Sequence, residues 1–169
     1  IYEEDVTPKD FGRVGAQAAK QAVMQRLRDA EREILYSEFI DKEEDILTGV
    51  IDRVDHRYVY VNLGRIEAVL SEAERSPNET YIPNERIKVY VNKVEQTTKG
   101  PQIYVSRSHP GLLKRLFEQE VPEIYDGTVI VKSVAREAGD RSKISVYSEN
   151  PDIDAVGACV GAKGSRVEA

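Results

Sequence analysis

The chain has 169 residues, 24 Lys and Arg against 30 Asp and Glu, and a formal net charge of −6. That length allows one or two small domains, and the acidic balance argues against indiscriminate coating of DNA. A single cysteine gives no disulfide framework, and no apolar run approaches the ~18 residues of a membrane span. With no signal-like start, a cytoplasmic protein without membrane contact is expected. The chain starts at Ile1, not Met, and stops inside a pattern, so it reads as a piece of something longer.

Thr7-Pro8-Lys9-Asp10 has the form of a helix start, with a capping hydroxyl, Pro at the first helical position and an early acid. Phe11, Val14, Ala18, Ala22, Val23, Leu27, Ala30 and Ile34 follow, mostly at steps of three or four. They predict a helix from 8 to about 34 with one buried stripe. Such a helix is long for this chain, which suggests a connector. Residues 36–45 read as a linker or first edge strand, and the run Asp41, Glu43, Glu44, Asp45 as solvated surface.

The period then falls to two. Strands are expected at Ile46–Val54, Tyr58–Leu63, Ile66–Leu70, Ile87–Val94 and Ile103–Ser106, with turns at Asp55-His56-Arg57, Gly64-Arg65 and Lys99-Gly100-Pro101. Five short strands with one long connection after the third suggest a small closed barrel of the OB kind. The stretch from Arg86 to Arg115 is the one strongly basic region, with seven Lys or Arg against one Glu. Tyr58, Tyr60, Tyr90 and Tyr104 fall on the outer alternation, with Arg57, Arg65, Lys88, Lys99 and Arg107 near them. Flat rings for unpaired bases beside cations for phosphates are what single-stranded RNA requires.

His109-Pro110-Gly111 marks a boundary. A short amphipathic helix carrying Leu112, Leu113, Leu116 and Phe117 follows, then strands at Thr128–Arg136 and Lys143–Tyr147, then a helical turn with Cys159 on its apolar side. Gly161-Ala162-Lys163-Gly164 comes next, with Arg166 just beyond. Two glycines flanking two residues let a backbone approach a sugar–phosphate strand closely. Two His, one Cys and no hydrolase, zinc-protease or nucleotide-binding motif leave no catalytic or metal site to argue for, and no cofactor is expected.

Several runs carry a resemblance: Tyr36-Ser37-Glu38-Phe39-Ile40, Thr98 to Arg107, His109-Pro110-Gly111-Leu112-Leu113, Phe117 to Ile124 and Val134 to Ile144. With them the chain resembles the NusA family of bacterial transcription elongation, termination and antitermination factors. The resemblance implies an α+β chain in three parts: a connector helix from an N-terminal polymerase-binding domain (1–35), an S1-type OB barrel (36–108) and an incomplete bacterial-type, or type II, KH unit (109–169). It implies a non-catalytic RNA-binding protein whose partners are RNA polymerase, single-stranded nascent RNA and other elongation or antitermination factors. The KH loop carries over as Gly161, Ala162, Lys163 and Gly164. Tyr60 stands about where many such barrels place a stacking Phe, Arg57 stands where another aromatic is common, and the His often found near Leu70 is missing. The alternative is a protein-interaction scaffold on polymerase, with the barrel as a spacer. An RNA-decay enzyme subunit fits less well, because there the KH unit precedes the barrel.

Overall fold

The computed structural model describes residues 2–4, 6 and 12–169. The Thr7-Pro8-Lys9-Asp10 helix start and Phe11 lie outside them. The first helix, α1, runs Arg13–Ile40, six residues past its expected end. Its apolar stripe is open to solvent among the described residues: Val14, Val23, Leu27 and Ile34 are all exposed. Only the last turns are covered, because Phe39 inserts into the barrel core with Leu35, Tyr36 and Ile40 around it. Residues 36–40 are therefore helix, not linker or strand, and their apolar side chains plug one side of the barrel.

The acidic run after α1 is also more than solvated surface. The Glu43 carboxylate accepts the Val94 N–H at 2.8 Å, and Asp45 caps its neighbour, accepting Ile46 N–H at 2.8 Å. These acids close the gap between helix and sheet by satisfying backbone donors that would otherwise be orphaned.

Five strands form a closed barrel in the order β1-β2-β3-β5-β4. They are β1 (Ile46–Val54), β2 (Tyr58–Asn62), β3 (Glu67–Ser71), β4 (Arg86–Thr97) and β5 (Gly100–Ser106). All neighbours are antiparallel except β3 and β5, which run parallel. Closure needs β1 to approach β2 tightly at Gly49, where an added Cβ would lie 2.5 Å from Val61 Cγ1. Every second residue points inward, so Val59, Val61, Ala68, Leu70, Val89, Val91, Ile103 and Val105 fill the interior.

The second unit packs helices on one face of a two-stranded sheet. Helix α2 (Pro110–Glu120) starts at His109, whose Nδ1 accepts the Gly111 N–H at 2.9 Å. After α3 (Pro122–Tyr125) come β6 (Ile130–Glu137) and β7 (Arg141–Tyr147), paired antiparallel. Then follow α4 (Ala155–Val160), a 3₁₀ turn at Ala162–Gly164 and the short α5 (Ser165–Glu168). Val121, Ile124, Val129 and Cys159 form its small core.

The two units meet at a polar joint. The β6–β7 tip presents the Gly139 carbonyl to the Asn78 amide, and His109 at the start of α2 stacks on Tyr90 of β4 at 4.5 Å. Gly139 sits at φ 77°, and a Cβ there would come within 2.9 Å of Ser76 Oγ. Glycine is therefore required both by backbone conformation and by space.

Candidate nucleic-acid interface

On the barrel, strand register assembles one outer row. Arg53 of β1 faces Tyr60 of β2, Tyr60 faces Val69 of β3, Val69 lies beside Tyr104 of β5, and Tyr104 faces Lys93 of β4. Tyr58 stands on the same side of β2, its ring 6.2 Å from that of Tyr60 and tilted by 56°. Tyr58 and Tyr104 are exposed and Tyr60 is half-buried. Arg57 is exposed at the β1–β2 turn next to Tyr58, with no ion pair among the described residues. That turn is fixed by Asp55, whose carboxylate accepts the N–H groups of Tyr58 and Arg57 at 2.7 and 2.8 Å; these bonds hold its pKa below the usual carboxylate value. Arg57, Tyr58, Tyr60 and Tyr104 are thus brought together.

The strand register adds two further members to this row, Arg53 and Lys93. The Arg53 guanidinium lies 3.8 Å over the Tyr60 ring, and its two ends grip Glu67 at 2.9 and 3.0 Å. Lys93 reaches the outer row because β4 bulges between Val91 and Lys93, which shifts the alternation by one. Arg53 could have been found from the β1–β2 hairpin register; the bulge carries no marker in the residues.

The remaining barrel candidates go elsewhere, so the basic ribbon is not one face. Tyr90 is buried: it packs with Ile46 and Leu112 and stacks on His109 at 4.5 Å, and burial pushes its phenol pKa up. It points out of the barrel, as alternation requires, but α2 covers it. Arg107 is bound within the barrel. Its guanidinium pairs with Glu79 through two nitrogens and donates to the Lys88 carbonyl at 2.7 Å. Burial alone would raise the Glu79 pKa, but the Arg107 hydrogen bonds and charge outweigh it and hold the carboxyl below its usual value. Arg65 is tied to Glu38 of α1 at 2.7 Å. Lys99 is exposed at the far β4–β5 turn, beside which Arg32 of α1 crosses Gly100. Lys88 is exposed on a different wall, opposite Thr48 of β1, bordering a crevice with Phe117 and Arg166. Net charge along a stretch says nothing about which wall each strand residue serves, and cross-strand acids cancel part of it.

In the second unit, Asp154 caps α4 by accepting the Gly157 N–H at 3.0 Å, which sets the helix that delivers the loop. Gly161 has φ 74° and ψ 173°, a region essentially closed to other residues. Lys163 and Gly164 are left-handed at φ 55° and 82°. Ala162 and Lys163 are exposed, and Lys163 has no ion pair among the described residues. Arg166 does not join them as a free cation. Its Nη1 donates to Glu123 at 2.8 Å and to the Ala158 carbonyl at 2.6 Å. Cys159 is buried, and burial pushes its thiol pKa up. No grouping of His, Cys, Asp and Glu suited to a metal occurs among the described residues, and none of their helices is long and apolar enough to cross a membrane.

Three family profiles tile the chain: a NusA N-terminal domain at residues 1–33, an S1 RNA binding domain at 40–106 and a NusA-like first KH domain at 107–169. The chain is 69% identical over 169 residues to the transcription termination/antitermination protein NusA of Bacillus subtilis. The chain belongs to the NusA family. It is 68% identical over 168 residues to the NusA of Halalkalibacterium halodurans and 49% identical over 168 residues to that of Thermus thermophilus. These matches cover 99 to 100% of this chain but only 46%, 44% and 43% of the three NusA proteins, so the chain spans a little under half of their length.

Proposed function

We propose that this NusA-family chain holds single-stranded RNA at two places, the tyrosine row of the barrel and the glycine-flanked loop, and works as a non-catalytic factor on the transcribing polymerase. The observation that carries the reading is the clustering of Tyr58, Tyr60 and Tyr104 with Arg57 on one barrel face. Each ring offers a stacking surface worth about 1 to 3 kcal/mol per base. At the loop, the two glycines bare the backbone and Lys163, exposed and without an ion pair among the described residues, adds a cation. Residues 109–169 act as the first KH unit and the barrel as an S1-type domain. RNA polymerase, nascent RNA and other elongation or antitermination factors are the partners this assigns, in pausing, termination and antitermination. The relatives' name, termination/antitermination protein, supports that setting.

The second reading, a scaffold on polymerase with little RNA contact, draws on Tyr90 and Asn78, which meet His109 and Gly139 across the joint between the units. Titrating labelled single-stranded RNA across a salt series separates the two. RNA contact gives a log affinity that falls with log salt by about 0.7 per phosphate held. A salt-independent affinity, with polymerase capture that survives charge reversal at Lys88 and Lys99, establishes the scaffold.

A further inference from the structure

We infer that Arg166, together with Glu123, is a positioning residue that shapes the glycine-flanked loop and does not itself hold phosphate. This rests on the reading above, in which that loop meets RNA. The two acceptors of Arg166 Nη1 lie on different elements: Glu123 on α3, at 2.8 Å, and the carbonyl of Ala158 in the last turn of α4, at 2.6 Å. The second contact satisfies a carbonyl that the helix end leaves without an intrahelical partner, at the negative pole of its dipole. Because Arg166 follows the loop and Ala158 precedes it, one side chain staples the loop's two ends together.

The loop wraps round this staple. A Cβ built on Gly161 would come within 2.7 Å of Arg166 Cγ and 3.1 Å of its Cβ and Cδ. The first glycine of the loop is thus needed for two reasons: its backbone conformation, and the arginine stem lying against it. The charge of Arg166 is already matched by Glu123, and both side chains are only about one-third exposed, at 30% and 33%. A phosphate would have to displace that carboxylate first. Lys163 is the opposite case, exposed and without an ion pair among the described residues. The two cations of the loop therefore divide the work, one meeting the strand and the other holding the shape.

Four variants of the full-length protein test this: Arg166→Gln, Arg166→Lys, Glu123→Gln and Lys163→Gln. Each is titrated with single-stranded RNA over a salt series, and amide exchange of residues 161–165 is followed without RNA. Arg166→Gln and Glu123→Gln are expected to weaken RNA binding by a similar factor, several-fold, with the salt slope unchanged and exchange at 161–165 faster. Arg166→Lys keeps the charge but not the two-acceptor reach, so it follows Gln. Lys163→Gln lowers the slope by about 0.7 with exchange unaltered. Tighter RNA binding in Glu123→Gln, or a slope loss in Arg166→Gln that Lys restores, would overturn the proposal in favour of a phosphate ligand. If Lys163→Gln leaves RNA binding unaltered, the loop's role in RNA binding fails; the exchange rates then still decide whether Arg166 shapes it, unchanged exchange in Arg166→Gln refuting that.

Discussion

On the proposed function, the tyrosine row of the barrel and the glycine-flanked loop are two surfaces for the same kind of ligand, built from opposite materials. The barrel row is made of side chains displayed by regular strands, where Tyr60 and Tyr104 share one row only because β3 joins β2 to β5 and sets Val69 between them. The loop is made of backbone, exposed by glycines in conformations that other residues resist and clamped by an arginine. A side-chain surface tolerates conservative exchange of one ring for another. A backbone surface tolerates almost no substitution at its hinges, and its failures propagate through shape.

Changes at four positions sharpen that contrast. The largest effect is expected from Gly161→Asp, which adds strain of about 1 to 3 kcal/mol at a positive φ, a collision with the Arg166 stem and a negative charge beside the strand. RNA affinity should fall by about two orders of magnitude, while the barrel's melting transition, read by circular dichroism, stays in place. Tyr60→Ala comes next, with a loss of about 1 to 3 kcal/mol in RNA binding. Tyr60→Phe should bind nearly as wild type, since stacking needs the ring and the Arg53 contact survives. Equal losses in the two would show that the hydroxyl, not the ring, is at work.

Arg107→Gln should leave RNA affinity within twofold but lower stability by about 1 to 2 kcal/mol, because Glu79 loses its partner within the barrel. The same pair sets a pH dependence. The folded-state pKa of Glu79 lies below its ordinary value of 4.5. Its contribution is therefore fully present above that value and is lost as pH falls below it through the folded pKa. Denaturant midpoints between pH 6 and pH 3 should fall further in wild type than in Arg107→Gln. The smallest effect is expected from Lys99→Gln, since Lys99 sits at the far turn by α1, away from both surfaces. Its affinity should change by less than about a factor of two; a larger loss would extend the RNA path to that end of the barrel.

Much of this was legible in the residues. Period-two alternation placed the five strands to within a few positions, and the glycine spacing located the loop. The barrel's closure followed from strand number and the long third connection. Three things were not legible. Whether an outward residue stays exposed depends on what packs over it later, and Tyr90 disappears under α2, a helix that begins twenty residues further on. A bulge in β4 changes which residues face the row without leaving a trace in composition. Ion pairs between distant segments, such as Arg65 with Glu38 and Arg166 with Glu123, convert apparent ligands into fasteners, and pairing across 27 or 43 positions cannot be read from local charge. Several runs that carry the family resemblance lie at or beside the joint: His109 stacks on Tyr90, Gly139 meets Asn78, and Arg107 is held by Glu79. They advertise how the two units are locked together more than where RNA sits.

The central claim, that one RNA strand meets both surfaces, is tested most directly by following backbone amide shifts of the full-length protein as single-stranded RNA is added. The account predicts shifts at Tyr58, Tyr60 and Tyr104 and at residues 161–165 that saturate on one common curve, with Lys99 unmoved. Shifts confined to other walls of the barrel, or none at either surface at saturating RNA, would contradict it.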